Sequence, residues 1–130
     1  MFPKLPDEPL VNIFHFHYFG NMEAKAAVSL LTAIAQESRL AVFRLLVEQG
    51  PDGLPAGKIG GHLGIPPATL SFHLKELSHA GLVQSRQESR YIFYSANYAA
   101  MNNLLAFLTE NCCAGSVCEA TTTACGPNCA

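Results

Sequence analysis

Gly57-Lys58-Ile59-Gly60-Gly61-His62-Leu63-Gly64-Ile65-Pro66-Pro67-Ala68-Thr69-Leu70-Ser71-Phe72-His73-Leu74-Lys75-Glu76-Leu77-Ser78-His79-Ala80-Gly81 reads as two helices joined by a tight turn. The first helix spans 57–63 and closes at Gly64, with Gly60 and Gly61 lowering its intrinsic propensity. The second begins around Pro67, whose missing N–H falls where a helix leaves its first donors unpaired anyway. Leu70, Leu74 and Leu77 recur at helical spacing and form its inward face, and Gly81 stops it. The opposite face presents Ala68, Thr69, Ser71, Phe72 and Lys75.

Upstream, Ala27, Leu30, Leu31 and Ile34 repeat at i, i+3, i+4 and i+7 and mark one face of a helix that starts near Glu23. A second helix is expected from about Ser38 to Gln49, stopped by Gly50 and Pro51. Leu40, Val42, Phe43, Leu45, Leu46 and Val47 surround much of it, so it is expected to be the buried central helix. Residues 53–56 read as a connection. Downstream, 82–86 and 90–95 read as two strands around Gln87-Glu88-Ser89, a hairpin. Asn97 is a suitable N-cap for a last helix, whose face is Met101, Leu104, Leu105 and Leu108. Short helix, tight turn, polar-faced helix and hairpin, in that order, predict a mainly α fold with a small β-hairpin (α+β), a winged helix-turn-helix.

In this architecture the second helix of the pair enters a major groove while the first braces it. Thr69 and Ser71 can reach phosphates or base edges, and Lys75 can neutralise a phosphate. His73 reads equally as a phosphate contact or as a packing residue. Arg86 and Arg90 flank the hairpin tip, where a wing meets backbone or minor groove. Charge agrees in distribution rather than in sum. The whole chain carries −2, but residues 55–95 hold Lys58, Lys75, Arg86 and Arg90 against Glu76 and Glu88, a local +2 between acidic flanks. Leu30, Leu31 and Ile34, with Met101, Leu104, Leu105 and Leu108, offer more apolar surface than one small domain hides. They are expected to form the interface of a homodimer that presents two recognition helices to a palindromic operator.

All five cysteines fall within the last nineteen residues. Cys112 and Cys113 are adjacent, Cys118 follows across a Gly-containing loop, and Cys125 and Cys129 lie in a thin tail. Vicinal thiols with a third across a short loop can converge on one soft, thiophilic ion. Residues 1–21 carry Pro3, Pro6 and Pro9 and an aromatic run without helical period, with His15 and His17 more plausible as surface or packing residues than as ligands. Either Met22 is the natural start or this leader is an appended arm. Asp7, Glu8, His15 and His17 interrupt any signal-peptide core, and no apolar run approaches the roughly 18 residues of a membrane span. The expected location is therefore cytoplasmic, with thiols free or metal-bound rather than in disulfides. Apolar residues at 49% against 14% charged place the chain among globular proteins. No nucleophile–base arrangement, phosphate loop or paired carboxylates points to an enzyme or to an organic cofactor.

Glu37-Ser38-Arg39-Leu40, Ala68-Thr69-Leu70-Ser71-Phe72-His73-Leu74, Ala80-Gly81-Leu82-Val83 and Arg90-Tyr91-Ile92-Phe93-Tyr94-Ser95 together resemble the ArsR/SmtB family of metal-responsive repressors, over roughly residues 24–118. The resemblance implies a homodimer that represses an operon until a toxic ion binds, with the terminal helices at the dimer interface. It also implies that Thr69, Ser71, Phe72 and His73 lie at the DNA. Pro66 and Pro67 depart from the family's polar cap, and Ser89 stands where a wing glycine is usual. The family's third-helix cysteine box is absent from 57–62, and its final-helix zinc site finds only Glu110. What remains resembles the arsenical subgroup, whose three thiolates bind trivalent arsenic; here these are Cys112, Cys113 and Cys118.

The chemistry of the ion agrees with that subgroup. Arsenite As(III) or antimonite Sb(III) takes three sulfurs in a pyramid, whereas zinc normally wants a fourth ligand. Cys125 or Cys129 as a fourth sulfur would instead suit zinc, cadmium or lead. The alternatives are a soft-metal or thiol-redox responsive repressor, or a small metal-sequestering protein. The expected organisation is an N-terminal extension at 1–21, a DNA-binding and dimerisation domain at 22–111, and a cysteine-rich sensor tail at 112–130.

Overall fold

The computed structural model describes residues 22–115. The expectations for 1–21 and for Cys118, Cys125 and Cys129 lie outside the described residues. Two compact units divide the chain, Glu23–Asn102 and a second to which Asn103 and the residues after it belong.

The elements are α1 (Ala24–Ile34), α2 (Glu37–Gln49), β1 (Leu54–Pro55), α3 (Ala56–Leu63), α4 (Pro67–Ala80), β2 (Val83–Glu88), β3 (Tyr91–Ala96) and α5 (Tyr98–Thr109), followed by a short turn, Cys112–Gly115. The predicted winged helix-turn-helix is present: α3 and α4 are the helix pair, and β2–β3 the wing. The core gathers where these elements meet. Val42, Leu46, Ile59, Leu70, Leu77 and Leu82 are the largest fully buried side chains, each contributing about 1.5–3 kcal/mol of apolar burial.

The central helix is buried on one side, whereas the apolar residues surrounding much of it were expected to be buried. Val42, Phe43 and Leu46 are buried, while Leu45 and Val47 are half-buried and Leu40 is 43% exposed. At about 100° per residue, Leu40 sits more than a quarter turn from the face that Val42, Phe43 and Leu46 share. The helix is capped by Gln36, whose Oε1 accepts from the Arg39 N–H at 2.9 Å.

The connection expected at 53–56 contains a strand. β1 pairs antiparallel with β3, Leu54 opposite Tyr94 and Pro55 opposite Phe93, giving a three-stranded sheet of order β1-β3-β2. Gly53 permits this docking: its φ is 74°, and a Cβ there would overlap the Tyr94 carbonyl oxygen. In the wing, β2 runs on to Glu88 and β3 is shifted by one residue from the expected 90–95, the pair extending from Val83 opposite Ala96 to Glu88 opposite Tyr91. The turn thereby shrinks to Ser89-Arg90, with Ser89 at φ 60°, the left-handed region that favours glycine.

Asn97 closes the wing at its base. Its backbone N–H donates to Leu82 O at 2.8 Å, its Nδ2 donates to Gly81 O at 2.9 Å, and its Oδ1 accepts from the Ala100 N–H at 3.2 Å as the expected N-cap. The Tyr98 hydroxyl lies 3.0 Å from Val47 O and 3.3 Å from Leu46 O, tying the start of α5 to the end of α2. Burial raises the Tyr98 hydroxyl above its ordinary pKa, with a backbone hydrogen bond at Gly50 opposing.

Candidate nucleic-acid interface

The α3–α4 turn is held by backbone geometry. Gly64 takes φ 66°, and the N–H groups of Gly64 and Ile65 both donate to Gly60 O, at 2.8 and 3.2 Å. A Cβ on Gly60 would lie 3.0 Å from Ile65 O and 3.5 Å from Leu70 Cδ2. The glycine that weakens α3 as a helix is thus what lets α4 approach it. Pro67 occupies the first turn of α4, and Leu70 N–H reaches back to Pro66 O at 2.8 Å.

Four buried residues, Leu70, His73, Leu74 and Leu77, hold α4 on the core. Thr69, Ser71, Phe72 and Lys75 are all exposed, Phe72 to 54%. They form a ridge of two hydroxyls and an aromatic ring on the N-terminal half of the helix, continued by an ammonium group just past its middle. That composition suits a duplex: hydroxyls for phosphate or base edges, a ring for apolar contact with a base or sugar, and a cation for phosphate.

His73 is placed differently from the rest of the DNA-facing set. It is only 7% exposed, its Nδ1 is sealed without a hydrogen-bond partner among the described residues, and its ring meets Phe72 edge-on at 5.8 Å. Of its two expected readings, the packing one matches this position. The signal was available in the spacing, since 70, 73, 74 and 77 complete the i, i+3, i+4, i+7 pattern.

Arg86 and Arg90 are exposed on the wing. Arg86 is held from two sides: its guanidinium lies 4.9 Å from the Phe93 ring centroid, and its Nε donates to Glu88 Oε2 at 2.9 Å. Sequence reasoning missed both partners, which sit opposite Arg86 on β3 and two residues ahead of it on β2. The pair is well exposed, so its net worth is about 0–1 kcal/mol. Its effect is to orient Arg86 and to offset part of its charge, leaving Arg90 at the tip.

Among the residues expected to pair two copies, Leu30 and Leu104 are buried and Ile34 and Met101 half-buried. Leu31 is 37% exposed, Leu105 45% and Leu108 54%. Val28, not in the expected set, is 58% exposed on α1.

At the C-terminal turn the Sγ atoms of Cys112 and Cys113 lie 3.5 Å apart, and Cys113 is disulfide-bonded, which departs from the expectation of free or metal-bound thiols. Adjacent sulfurs on a tight turn are close enough for thiol–disulfide chemistry. Asn111, Cys113 and Ala114 all take left-handed φ of 55–59° without being glycine. No group of three or more His, Cys, Asp and Glu that could hold a metal occurs among the described residues, of which Cys118 is not one. No described helix is long and apolar enough to cross a membrane.

Comparison with known proteins places this geometry. A helix-turn-helix domain model matches residues 34–86. The chain is 38% identical over 82 residues to the uncharacterized HTH-type transcriptional regulator YceK of Bacillus subtilis, covering 63% of this chain and 81% of that one. It is 31% identical over 87 residues to the transcriptional activator HlyU of Vibrio cholerae, covering 67% and 78%. The solved HlyU structure superposes with TM-score 0.54 over 67% of this chain and 97% of that one, at 35% identity. A reduced form of HlyU matches with TM-score 0.52 and 35% identity over 65% and 90%. An ArsR-like transcriptional regulator from Rhodococcus gives TM-score 0.58 at 26% identity, over 70% and 82%.

Proposed function

The chain belongs to the ArsR/SmtB family of winged helix-turn-helix transcriptional regulators, and on that premise we propose that it represses an operon by occupying an operator that it releases when trivalent arsenic or antimony binds Cys112, Cys113 and Cys118. The observation that carries the DNA-binding half is the exposed ridge Thr69, Ser71, Phe72 and Lys75 on a helix whose other face is locked in the core. Exposed apolar residues on α1 (Val28, Leu31) and on α5 (Leu105, Leu108) support association with a second copy. A two-fold dimer would present two such ridges one helical turn apart, hence a palindromic operator.

The sensing half rests on sulfur chemistry. Once a thiol reductant has opened the disulfide at Cys113, three thiols can displace the three hydroxyls of arsenous acid as water, each thiol giving up its proton, and the pyramidal product needs no fourth ligand. The ion acts on the operator only through a difference in affinity between the DNA-binding and released states.

A second reading, a thiol-redox switch at the same cysteines, is favoured by the 3.5 Å approach of Cys112 and Cys113 sulfurs, the disulfide at Cys113, and the likeness to HlyU, known in a reduced form. Here peroxide takes two electrons and two protons from a thiol pair as the disulfide forms, leaving water.

One experiment separates these readings: a gel shift of the full chain on its own promoter fragment, with arsenite, with antimonite, and with peroxide followed by dithiothreitol. Release by arsenite or antimonite supports the first reading. Release by peroxide, reversed by dithiothreitol, supports the second. Unchanged operator binding in all arms sinks both.

A further inference from the structure

Beyond the DNA-facing ridge and the cysteines, a cleft of about 340 Å³ with mixed polar and apolar lining opens between α1, α2 and the C-terminal half of α4. It is lined by Ser29, Thr32, Ala33, Arg39, Glu76, His79 and Ala80, all within the unit Glu23–Asn102. Its volume falls in the range of small-molecule sites.

Three ionisable side chains of mixed sign converge on this cleft, and none is spent on another. The ion pairs among the described residues are Arg44–Glu48 and Arg86–Glu88, so neither Arg39 nor Glu76 has an opposite charge within 4.0 Å. The Arg39 side chain makes one hydrogen bond, from Nε to the carbonyl oxygen of Ala33 near the end of α1. That bond fixes the guanidinium at the cleft while leaving its Nη groups uncommitted among the described residues. A guanidinium so held presents parallel N–H donors that match a carboxylate bidentately. Glu76, half-buried on α4, supplies the acceptor for an ammonium group, and His79 and the hydroxyls of Ser29 and Thr32 add polar contacts.

We propose that this cleft binds a small zwitterion with an amino-acid head group, its carboxylate on Arg39 and its ammonium on Glu76. A plain anion would meet Glu76 and a plain cation would meet Arg39, so the mixed lining selects a ligand carrying both charges. On α1, Ser29 lies on the flank roughly opposite Leu31 and Ile34, while Thr32 follows the exposed Val28 by one turn. On α4, Glu76 and His79 lie one turn after Phe72 and Lys75 of the ridge, so binding at the cleft is measured on the DNA-free protein.

The test is a thermal-unfolding series on the full chain with individual common L-amino acids, and with acetate and methylammonium as carboxylate-only and amine-only probes, followed by titration calorimetry of any amino acid that responds. At least one amino acid should raise Tm by roughly 5 °C at about ten times its Kd, and the single-charge probes should leave it unchanged. Glu76→Gln should weaken that amino acid at least tenfold. Arg39→Lys should do the same, and because Arg39 also bonds Ala33, Glu76→Gln is the variant that keeps the test independent of folding. Absence of any amino-acid response, an equal response to acetate alone, or undiminished binding in Glu76→Gln would overturn the proposal.

Discussion

The recognition helix and the cysteine turn both place reactive groups at the surface, but they are held by different forces. On α4, four buried residues at helical spacing dictate which side chains face outward, so Thr69, Ser71, Phe72 and Lys75 are positioned by packing. Around Cys112–Gly115 the backbone itself is unusual: Asn111, Cys113 and Ala114 adopt left-handed conformations, which asparagine tolerates but which cost Cys113 and Ala114 on the order of 1–2 kcal/mol each. A ridge fixed by packing survives changes elsewhere in the chain. A strained turn depends on what its sulfurs bond to. Reading DNA and sensing thiol reagents are therefore expected to come apart under mutation.

The largest effect tests the packed side of this contrast. Leu77→Ala removes a side chain with no exposure and should lower unfolding free energy by about 2–5 kcal/mol in a denaturant titration. A loss below about 1 kcal/mol would mean that α4 is not held by its core face.

Serine at Cys112, Cys113 or Cys118 attacks the other side. Each should abolish the inducer response, a coupling of about 1–3 kcal/mol, while operator affinity without inducer stays within about twofold. Serine at both Cys125 and Cys129 should change little, and a dependence on Cys125 would indicate a four-sulfur metal site. If the serine variants at Cys112 or Cys113 lose operator binding itself, the two regions are not separable and the contrast fails.

On the ridge, Thr69→Ala or Ser71→Ala should cost about 1–3 kcal/mol of discrimination between operator and random DNA, with inducer response retained. Lys75→Ala should weaken both DNAs alike and lower the slope of log affinity against log salt by about one. Fluorescence anisotropy at several salt concentrations reads both.

Tyr98→Phe is a smaller probe of how the start of α5 is held to the end of α2. Losing its bonds to Leu46 and Val47 carbonyls should cost about 1 kcal/mol at neutral pH. Because the folded-state pKa of Tyr98 is raised, its contribution is fully present below the ordinary phenol value of 10.0 and is lost as pH rises through the higher folded value. The Phe variant should therefore lack the fall in stability that begins above about pH 10. Smallest of all, Ser89→Gly should stabilise by about 0.5 kcal/mol, the relief of a left-handed φ partly offset by glycine's extra freedom when unfolded.

Most of the helical frame was legible in punctuation: Gly50, Gly64, Gly81 and Asn97 mark ends that the structure keeps, because each sits where the backbone turns left-handed or needs a cap. β1 was not legible, since two residues cannot show alternation and the strand exists only by pairing with β3. The outward set on α4 followed from the leucine period, and that period also carried the burial of His73, which lies three residues after Leu70. The Arg86 partners and the Arg39–Glu76–His79 cleft depend on side chains that tertiary packing brings together, which spacing along the chain does not encode.

Asn97 gives the wing a property that concerns engineering rather than recognition. The chain leaves the helical body at Gly81-Leu82 and returns at Asn97, which bonds both departure residues and caps the next helix. The hairpin is thus a closed detour, its two feet stapled together by one side chain and one amide. Lengthening it at the Ser89-Arg90 tip alters its reach without moving those feet, and a loop that stays closed pays only a slowly growing entropy for added residues. Tips of different length and charge can be grafted at Ser89-Arg90 as interchangeable cassettes, with the pairing of β3 to β1 and the helical frame unchanged.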